Sequence, residues 1–272
     1  MSGIRRAVSI PLRPWYFDHG YNNTAVLAAV ETMILLAAET AQRYPEADVR
    51  LMENGRFAKF LQVPPDSEYI EVQIECREQN ETVQAQLLSQ TVIRTMKRLK
   101  EHGQVSFASK RTPLDTTAVR DPAPPHPLKR LDAEIIYSKL VPFGPAYHTL
   151  QETLLTDDGV WGRLQTPAIA YTDDIQQILG SPFAFDGALH AACVLGQQIV
   201  DYAPFPVAFD RRLIVRPTQP DNGYIVRAML VSHLEGELVF DLVIIDDGGR
   251  LFEEALGVRM RDVSRGTSLG NL

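Results

Sequence analysis

A proline-rich segment near the middle of the chain most constrains how this sequence can fold. Residues 112–128 contain five prolines, and the run Asp121-Pro122-Ala123-Pro124-Pro125-His126-Pro127 lies within them. Proline has no backbone N–H and is excluded from helix interiors and central strands. The segment therefore predicts an extended linker over residues 112–130, which separates an N-terminal half (residues 1–111) from a C-terminal half (residues 131–272).

The two halves share one plan, a long apolar helix accompanied by strands. The first helix is predicted over residues 24–42, with Thr24 as its N-cap, and the second over residues 186–202, with Asp186 at its start. A helix that is apolar on nearly every side must be covered, so an antiparallel sheet wrapped around each helix is the expected packing. The predicted fold class is therefore α+β.

Strand-like patterns fill most of the remaining sequence. The run Asp246-Asp247-Gly248-Gly249 is a strong hairpin signal between the last two of these strands. Residues 93–100 fit either a helix or a strand. Strands are predicted over residues 7–12, 56–63, 69–76, 82–89, 104–108, 133–140, 149–155, 159–165, 205–215, 224–231, 237–245 and 251–260.

Composition excludes several classes of function. The 272 residues carry a formal net charge of -7, which argues against a broad nucleic-acid surface and gives no support for binding to anionic membranes. The longest strongly apolar run, residues 25–38, is interrupted by Glu31 and is too short to span a bilayer. We expect no signal peptide, and Cys76 and Cys193 cannot form a disulfide framework, so a cytoplasmic protein is expected.

Ionisable residues interrupt the apolar sequence at the approach to each helix. His19 follows Asp18 before the first helix, whereas Asp186 and His190 are four residues apart and share one face of the second. A carboxyl group in apolar surroundings can keep its proton near neutral pH and act as a general acid, and histidine is the natural base there. A base and an acid that face each other are what β-elimination of water requires.

Each of these residues also fits a purely structural role. His19 could be a capping or packing residue, Asp186 an N-cap, and His190 a core histidine bonded to backbone. Cys193 is expected to be inert packing. The residues alone therefore predict a two-part α+β protein with a candidate acid–base pair.

Four motifs in order make the chain resemble the dehydratase domains of modular polyketide synthases and related polyunsaturated fatty acid synthases. The family's His-x-x-x-Gly-x-x-x-x-Pro motif is similar to the sequence that begins at His19, with Asn23 in place of the glycine and Ala28 in place of the proline. Its Tyr-Gly-Pro element corresponds to Phe143-Gly144-Pro145. Its Asp-x-x-x-Gln/His motif matches Asp186 to His190, and Pro204-Phe205-Pro206-Val207-Ala208-Phe209 stands in place of a Leu-Pro-Phe-like stretch.

The resemblance implies a double hot-dog fold, in which two fused halves each wrap a sheet around a central helix. It also implies that His19 is the base for the α-proton, that Asp186 is the acid for the β-hydroxyl, and that His190 orients them. Backbone N–H groups at the start of the first helix and near Gly144 could polarise the thioester carbonyl. Residues implied to contact the substrate are Asn23, Ala28, Phe143, Gly144, Pro145 and Phe209.

The resemblance further implies a substrate tethered through phosphopantetheine to an acyl carrier protein, with no metal or redox cofactor. Other synthase domains are expected partners, nucleic acid and membrane are not, and an exposed first strand would permit a homodimer. The departures from the family motifs at Asn23, Ala28 and Phe143 mark a divergent member of the family. Asn23 can adopt the left-handed conformation expected of the missing glycine, whereas Phe143 removes a hydroxyl group that could contact the substrate.

Three alternatives remain open at this point. A related double hot-dog enzyme, such as a product-template cyclase or a pyran-forming domain, could use the same pair of residues. A larger and wetter pocket would favour the cyclase, and a narrow apolar one would favour dehydration. A metal enzyme could use His19, Asp186 and His190 as a facial triad, and a non-catalytic acyl-binding module could retain the pair with a closed pocket.

Overall fold

A computed structural model describes residues 4–57, 59–93, 96–111, 113, 127–157, 159–234 and 236–263. The predicted linker falls mainly on residues 114–126, outside the described residues. Its last two residues, Lys129 and Arg130, already belong to the first strand of the C-terminal half. Within the ranges given above, no helix combines the length and the apolar character needed to cross a membrane.

The N-terminal half contains one long helix, α1 (Ala29–Arg43). A short 3-10 turn (Pro14–Asp18) and a small hairpin of β2 (Gly20–Tyr21) and β3 (Thr24–Ala25) precede this helix. The remaining strands are β1 (Ile4–Pro11), β4 (Asp48–Arg56), β5 (Tyr69–Gln79), β6 (Thr82–Ile93) and β7 (Met96–Ala108).

The C-terminal half repeats this plan around the helix α4 (Pro182–Gly196). Its smaller helical segments are α2 (Ala133–Ile135), which continues as a π-helical turn over Ile136–Leu140, a 3-10 turn (Pro145–Tyr147) and α3 (Gln176–Leu179). Its strands are β8 (Lys129–Asp132), β9 (Leu150–Leu155), β10 (Gly159–Gln165), β11 (Pro204–Ile214), β12 (Gly223–Leu234), β13 (Glu237–Ile245) and β14 (Leu251–Asp262).

One antiparallel sheet of 12 strands runs through both halves, in the order β1-β5-β6-β7-β4-β11-β14-β13-β12-β10-β9-β8. The halves meet where β4 pairs with β11, for example at Leu51 and Leu213. The helix α1 packs on β4 to β7, α4 packs on β9 to β13, and the two helices contact each other. These features confirm the predicted α+β class and the plan of one sheet-covered helix in each half.

The first long helix begins later than predicted, at Ala29 rather than Thr24. Asn22 and Asn23 have φ angles of 48° and 62°, which fold the chain into the tight β2–β3 hairpin. The left-handed conformation expected of Asn23 is therefore confirmed. Thr24 is a strand residue, so its assignment as an N-cap is wrong, and the extended Ala28 (φ −62°, ψ 149°) stands at that position.

The second long helix begins earlier than predicted, at Pro182, and ends earlier, at Gly196. Proline suits the first helical position because its missing N–H would be unpaired there in any case. Asp186 therefore lies inside the helix, and its alternative interpretation as an N-cap is wrong.

Two of the predicted strands, residues 56–63 and 133–140, are wrong. Among the described residues of 56–63, the structure has only the end of β4 and an isolated bridge between Val26 and Gln62. Residues 133–140 are helical because the Asp132 side chain caps them, accepting the backbone N–H of Ile135 at 3.0 Å.

The ambiguous residues 93–100 belong mostly to β7. The predicted hairpin at residues 246–249 is confirmed between β13 and β14.

Candidate active site

A cavity of about 250 Å³ opens where the two halves meet. Its walls come from both halves, and most of the lining side chains are apolar or aromatic. Asn22, Lys59 and Pro142 are the exposed lining residues and lie at its rim. The lining residues are His19, Gly20, Tyr21, Asn22, Leu27, Ala29, Thr32, Phe57, Lys59, Phe60, Leu61, His102, Leu140, Val141, Pro142, Phe143, Asp186, Leu189, His190, Cys193, Ala203, Pro204, Phe205 and Pro206.

His19 enters this cavity from the end of the 3-10 turn, in the segment before α1 where the sequence placed it. Its Nδ1 lies 3.0 Å from the carbonyl oxygen of Val26, and its own carbonyl accepts the Val26 N–H at 2.9 Å. A carbonyl can only accept, so Nδ1 carries a proton and Nε2 has a free lone pair. Burial lowers the pKa of His19, which keeps the ring neutral near pH 7, as a general base requires.

Asp186 and His190 project from one face of α4 and are both buried. Asp186 Oδ2 and His190 Nε2 lie 2.8 Å apart. The angle between them is nevertheless poor for a hydrogen bond, and neither atom has another well-directed partner among the described residues. Unsatisfied polar atoms are rare in protein interiors, and here they leave hydrogen-bonding capacity unused in the cavity wall.

Tyr137 orients His190 by contacting Nδ1, the ring nitrogen that does not face Asp186. Its hydroxyl accepts the backbone N–H of Leu150 at 2.8 Å and lies 3.3 Å from Nδ1 of His190. Burial raises the pKa of Tyr137, so the phenol keeps its proton and can donate it to Nδ1. That bond would leave the imidazole proton on Nε2, the atom that faces Asp186.

Phe143 lies between the two histidines and lines the cavity. Its ring centroid is 4.3 Å from that of His19 and 5.2 Å from that of His190. The hydroxyl group that the resemblance would place at this position is absent, so the contact between the two halves at this point is purely aromatic.

Gly144 serves to join the halves and does not face the cavity. Its N–H donates to the Asp18 carbonyl at 2.6 Å, and the Asp18 carboxylate accepts the N–H of Ala146 at 2.9 Å. A Cβ on Gly144 would lie 2.5 Å from Asp18 Oδ1, so only glycine fits this close approach. The N–H of Gly144 itself is already bonded, so it is not available to polarise a substrate carbonyl.

Four other residues that were expected to contact substrate do not line the cavity. Asn23 is exposed in the β2–β3 turn, and Ala28 is buried at the start of α1. Pro145 is exposed on the 3-10 turn. Phe209 is buried against Phe57, with ring centroids 6.1 Å apart. The neighbouring Phe205 lines the cavity in its place.

A third histidine of the cavity, His102, was not predicted from the sequence. Its Nε2 lies 2.7 Å from the Ser89 hydroxyl, and its Nδ1 lies 3.0 Å from the Phe60 carbonyl. Both ring nitrogens are thus occupied, and His102 is a structural part of the wall. The described residues contain no group of three or more His, Cys, Asp or Glu side chains placed to hold a metal ion, so their geometry gives no support to the facial-triad alternative.

Comparison with known proteins agrees with this geometry. The family model described as the polyketide synthase dehydratase N-terminal domain matches residues 115–270, which include Asp186 and His190. No curated protein sequence matches the chain.

Solved dehydratase structures share the fold at low sequence identity. A dehydratase domain of a trans-AT polyketide synthase from Brevibacillus brevis is 16% identical, with a TM-score of 0.74 over 95% of this chain and 93% of that one. The dehydratase domain from the CurJ module of curacin polyketide synthase is 16% identical, with a TM-score of 0.70 over 91% and 86%. A monomeric dehydratase domain from a trans-AT split module is 12% identical, with a TM-score of 0.70 over 96% and 99%. The likeness confirms the double hot-dog fold.

Proposed function

The chain belongs to the polyketide synthase dehydratase family, and from this premise we propose that it removes water from a β-hydroxyacyl thioester carried on an acyl carrier protein. One observation carries the proposal. A neutral histidine with a free Nε2 and a buried carboxyl group come from opposite halves to line one cavity. The rest of the cavity wall is mostly apolar, which suits an acyl chain.

The reaction divides between His19 and Asp186. His19 Nε2 takes the α-proton, the electrons of that C–H bond form the α,β double bond, and the C–O bond to the β-hydroxyl breaks. Asp186 gives its proton to the departing oxygen, so that water leaves. The proton on His19 then returns to the Asp186 carboxylate, directly or through solvent, and the pair is ready again. His190 holds the Asp186 carboxyl and the substrate hydroxyl in place.

Negative charge develops on the thioester oxygen as the α-proton leaves. Ala29 lines the cavity in the first turn of α1, where backbone N–H groups lack partners within the helix. These groups and the helix dipole favour an oxyanion at that position. The proposed reaction draws on no metal or redox cofactor.

The size and lining of the cavity favour dehydration over the closure of a long polyketone chain. About 250 Å³ holds a short acyl segment, and the wall offers few polar groups beyond the histidines and Asp186. We further propose that the acyl group reaches the cavity on the phosphopantetheine arm of the carrier protein, within a larger set of synthase domains.

The direct test is an assay with 3-hydroxyacyl pantetheine thioesters of several chain lengths, with loss of water followed by mass spectrometry. His19→Ala and Asp186→Asn are each expected to lower the rate by about 10²- to 10⁴-fold. His233→Ala and Asp66→Asn remove the same types of side chain at exposed positions and are expected to leave the rate unchanged. The acid limb of kcat/KM should fall below pH 6.5, because burial lowers the pKa of His19 from that value.

The proposal fails if the wild-type protein shows neither dehydration nor hydration of the enoyl product at any chain length. It fails equally if both site variants keep the wild-type rate. Presentation by a carrier protein has its own test, since a carrier-bound substrate should have a lower KM than the free pantetheine thioester. Equal KM values would contradict that part.

A further inference from the structure

A buried carboxyl group lies behind His19, on the first turn of α1. Glu31 is 6% exposed, and its Oε1 accepts the indole N–H of Trp15 at 2.9 Å. The neighbouring Tyr16 is also buried. Trp15 and Tyr16 both belong to the 3-10 turn that ends at His19. Glu31 therefore ties the turn that carries the base to the helix behind it.

Burial of Glu31 lacks the usual compensation. Carboxyl groups in protein interiors are normally paired with a basic side chain, because an isolated charge is poorly solvated there. In the part of the chain that the structure describes, no basic side chain forms an ion pair with Glu31. A group that costs this much to bury, next to a catalytic cavity, points to a role other than packing.

The groups around Glu31 come from both halves. Those on its own side are Arg13 and Tyr16, and those from the other half are Tyr147, Asp173 and Asp186. Burial, together with the charges of Asp186 and Asp173, raises the pKa of Glu31 to about 7, against the opposing effects of the Trp15 hydrogen bond and Arg13. Glu31 consequently changes charge near neutral pH.

Tyr147, from the C-terminal half, packs against His19. It is completely buried, its ring centroid is 5.1 Å from that of His19, and its hydroxyl has no hydrogen-bond partner among the described residues. The boundary between the halves therefore also buries an unpartnered hydroxyl group on a ring that contacts the candidate base.

We propose that Glu31 is a positioning residue for dehydration, whose carboxyl group fixes the His19 turn against α1. The inference rests on the proposed function. An ionised carboxylate accepts a hydrogen bond more strongly than a neutral carboxyl group, so the charge of Glu31 determines how firmly it holds the Trp15 N–H and, with it, the His19 turn.

The first test does not depend on catalysis. Trp161→Phe leaves Trp15 as the only tryptophan, and its fluorescence then reports on the bond to Glu31. We expect the emission to titrate with a midpoint near pH 7 and to become flat on Glu31→Gln in the same background. Glu39→Gln removes a carboxylate from the same helix, where it pairs with Arg43, and should leave the titration intact. A midpoint that survives Glu31→Gln would overturn the inference.

The second test is the pH profile of dehydration. Glu31→Gln keeps an oxygen that can accept the Trp15 N–H but has no charge, so we expect kcat to be retained at low pH and the change in kcat near pH 7 to be lost. Glu31→Ala removes the bond as well and should lower kcat about tenfold with little change in KM, because the base loses its position.

An unchanged profile in Glu31→Gln, with thermal melting confirming a folded protein, would overturn the role in catalysis. If Glu31→Ala does not fold, the glutamine variant alone decides. If the wild-type protein proves inactive, the proposed function fails. The fluorescence titration still decides whether Glu31 bonds to Trp15 in the His19 turn and whether its ionisation affects that turn.

Discussion

The two halves of the molecule hold their candidate catalytic residues in different ways. In the C-terminal half, Asp186 and His190 lie inside α4, and their spacing along the helix is enough to place them on one face. In the N-terminal half, His19 lies outside any long helix and is held by Val26 and by its neighbours' contacts with Glu31 and Gly144. Local geometry positions the candidate acid, whereas contacts between distant segments position the candidate base.

This difference predicts how each residue can be disturbed. A helix buried on every side tolerates few changes, and a substitution there affects folding as well as chemistry. A short turn tied by a few hydrogen bonds can shift without unfolding the domain, so changes around His19 should lower activity more than stability. The following predictions are arranged to challenge or refine that distinction.

The largest effect is expected when both catalytic groups are removed together. If His19 and Asp186 act in one step, the double variant His19→Ala/Asp186→Asn should be no slower than the worse single variant, which is about 10³-fold below wild type. Single-turnover rates of dehydration measure this. Multiplicative losses would show that the two residues act in separate steps and that one half could work without the other.

The next effect concerns stability and its dependence on pH. Burial raises the pKa of Glu31 from 4.5 to about 7, so the folded state holds this proton more tightly than the unfolded state. Ionising Glu31 therefore lowers the free energy of unfolding, and the loss grows as the pH rises from 4.5 through 7. The full loss is on the order of 3 kcal/mol.

The Glu31→Gln variant has no ionisable group at this position. It therefore separates the free-energy cost of ionising Glu31 from the other contributions to the stability of the fold. Its free energy of unfolding relative to wild type should rise between pH 4.5 and pH 8, as measured by urea denaturation at each pH. Glu39→Gln provides the matched comparison on the same helix. A difference between Glu31→Gln and wild type that is independent of pH would show that Glu31 is not coupled to the proton equilibrium in the folded state.

A smaller effect is expected at Asp18, which joins the base-bearing turn to the C-terminal half. Asp18→Ala removes the carboxylate that accepts the Ala146 N–H, and we expect about 2 kcal/mol of lost stability. Because the turn also carries His19, kcat should fall about tenfold or more. Asp18→Asn keeps an acceptor oxygen and should restore most of both. Equal kcat in Asp18→Ala and wild type would mean that the contacts with Val26 and Glu31 position the base without Asp18.

The same distinction explains what could be predicted from the sequence. The pairing of Asp186 with His190, the two apolar helices and the hairpin at Asp246–Gly249 depend on neighbours within a few residues, and these predictions hold. The start of α1 was misplaced because the turn at Asn22 and Asn23 overrides the apolar pattern that follows it.

Residues whose placement depends on distant partners could not be found in this way. Gly144 has its N–H bonded to a residue of the other half, and Tyr137 acts on His190 across 53 residues of sequence. Glu31 gave one detectable signal, a charge within an apolar run, but only the fold shows that Trp15 pairs with it. Spacing can predict a pair on one helix, whereas a pair on two elements requires the sheet that brings them together.

The smallest effect is expected at Tyr137, and it tests whether the C-terminal half is as locally determined as it looks. Tyr137→Phe removes the hydroxyl that lies 3.3 Å from His190 Nδ1 and keeps the ring, so stability should fall by about 1 kcal/mol. Without that donor, His190 can place its proton on either nitrogen, and kcat should fall about tenfold with KM nearly unchanged. If Tyr137→Phe retains full kcat, helix geometry alone orients His190, and the contrast between the halves is complete. If kcat falls as expected, the acid side also depends on a long-range contact, and the two halves differ only in degree.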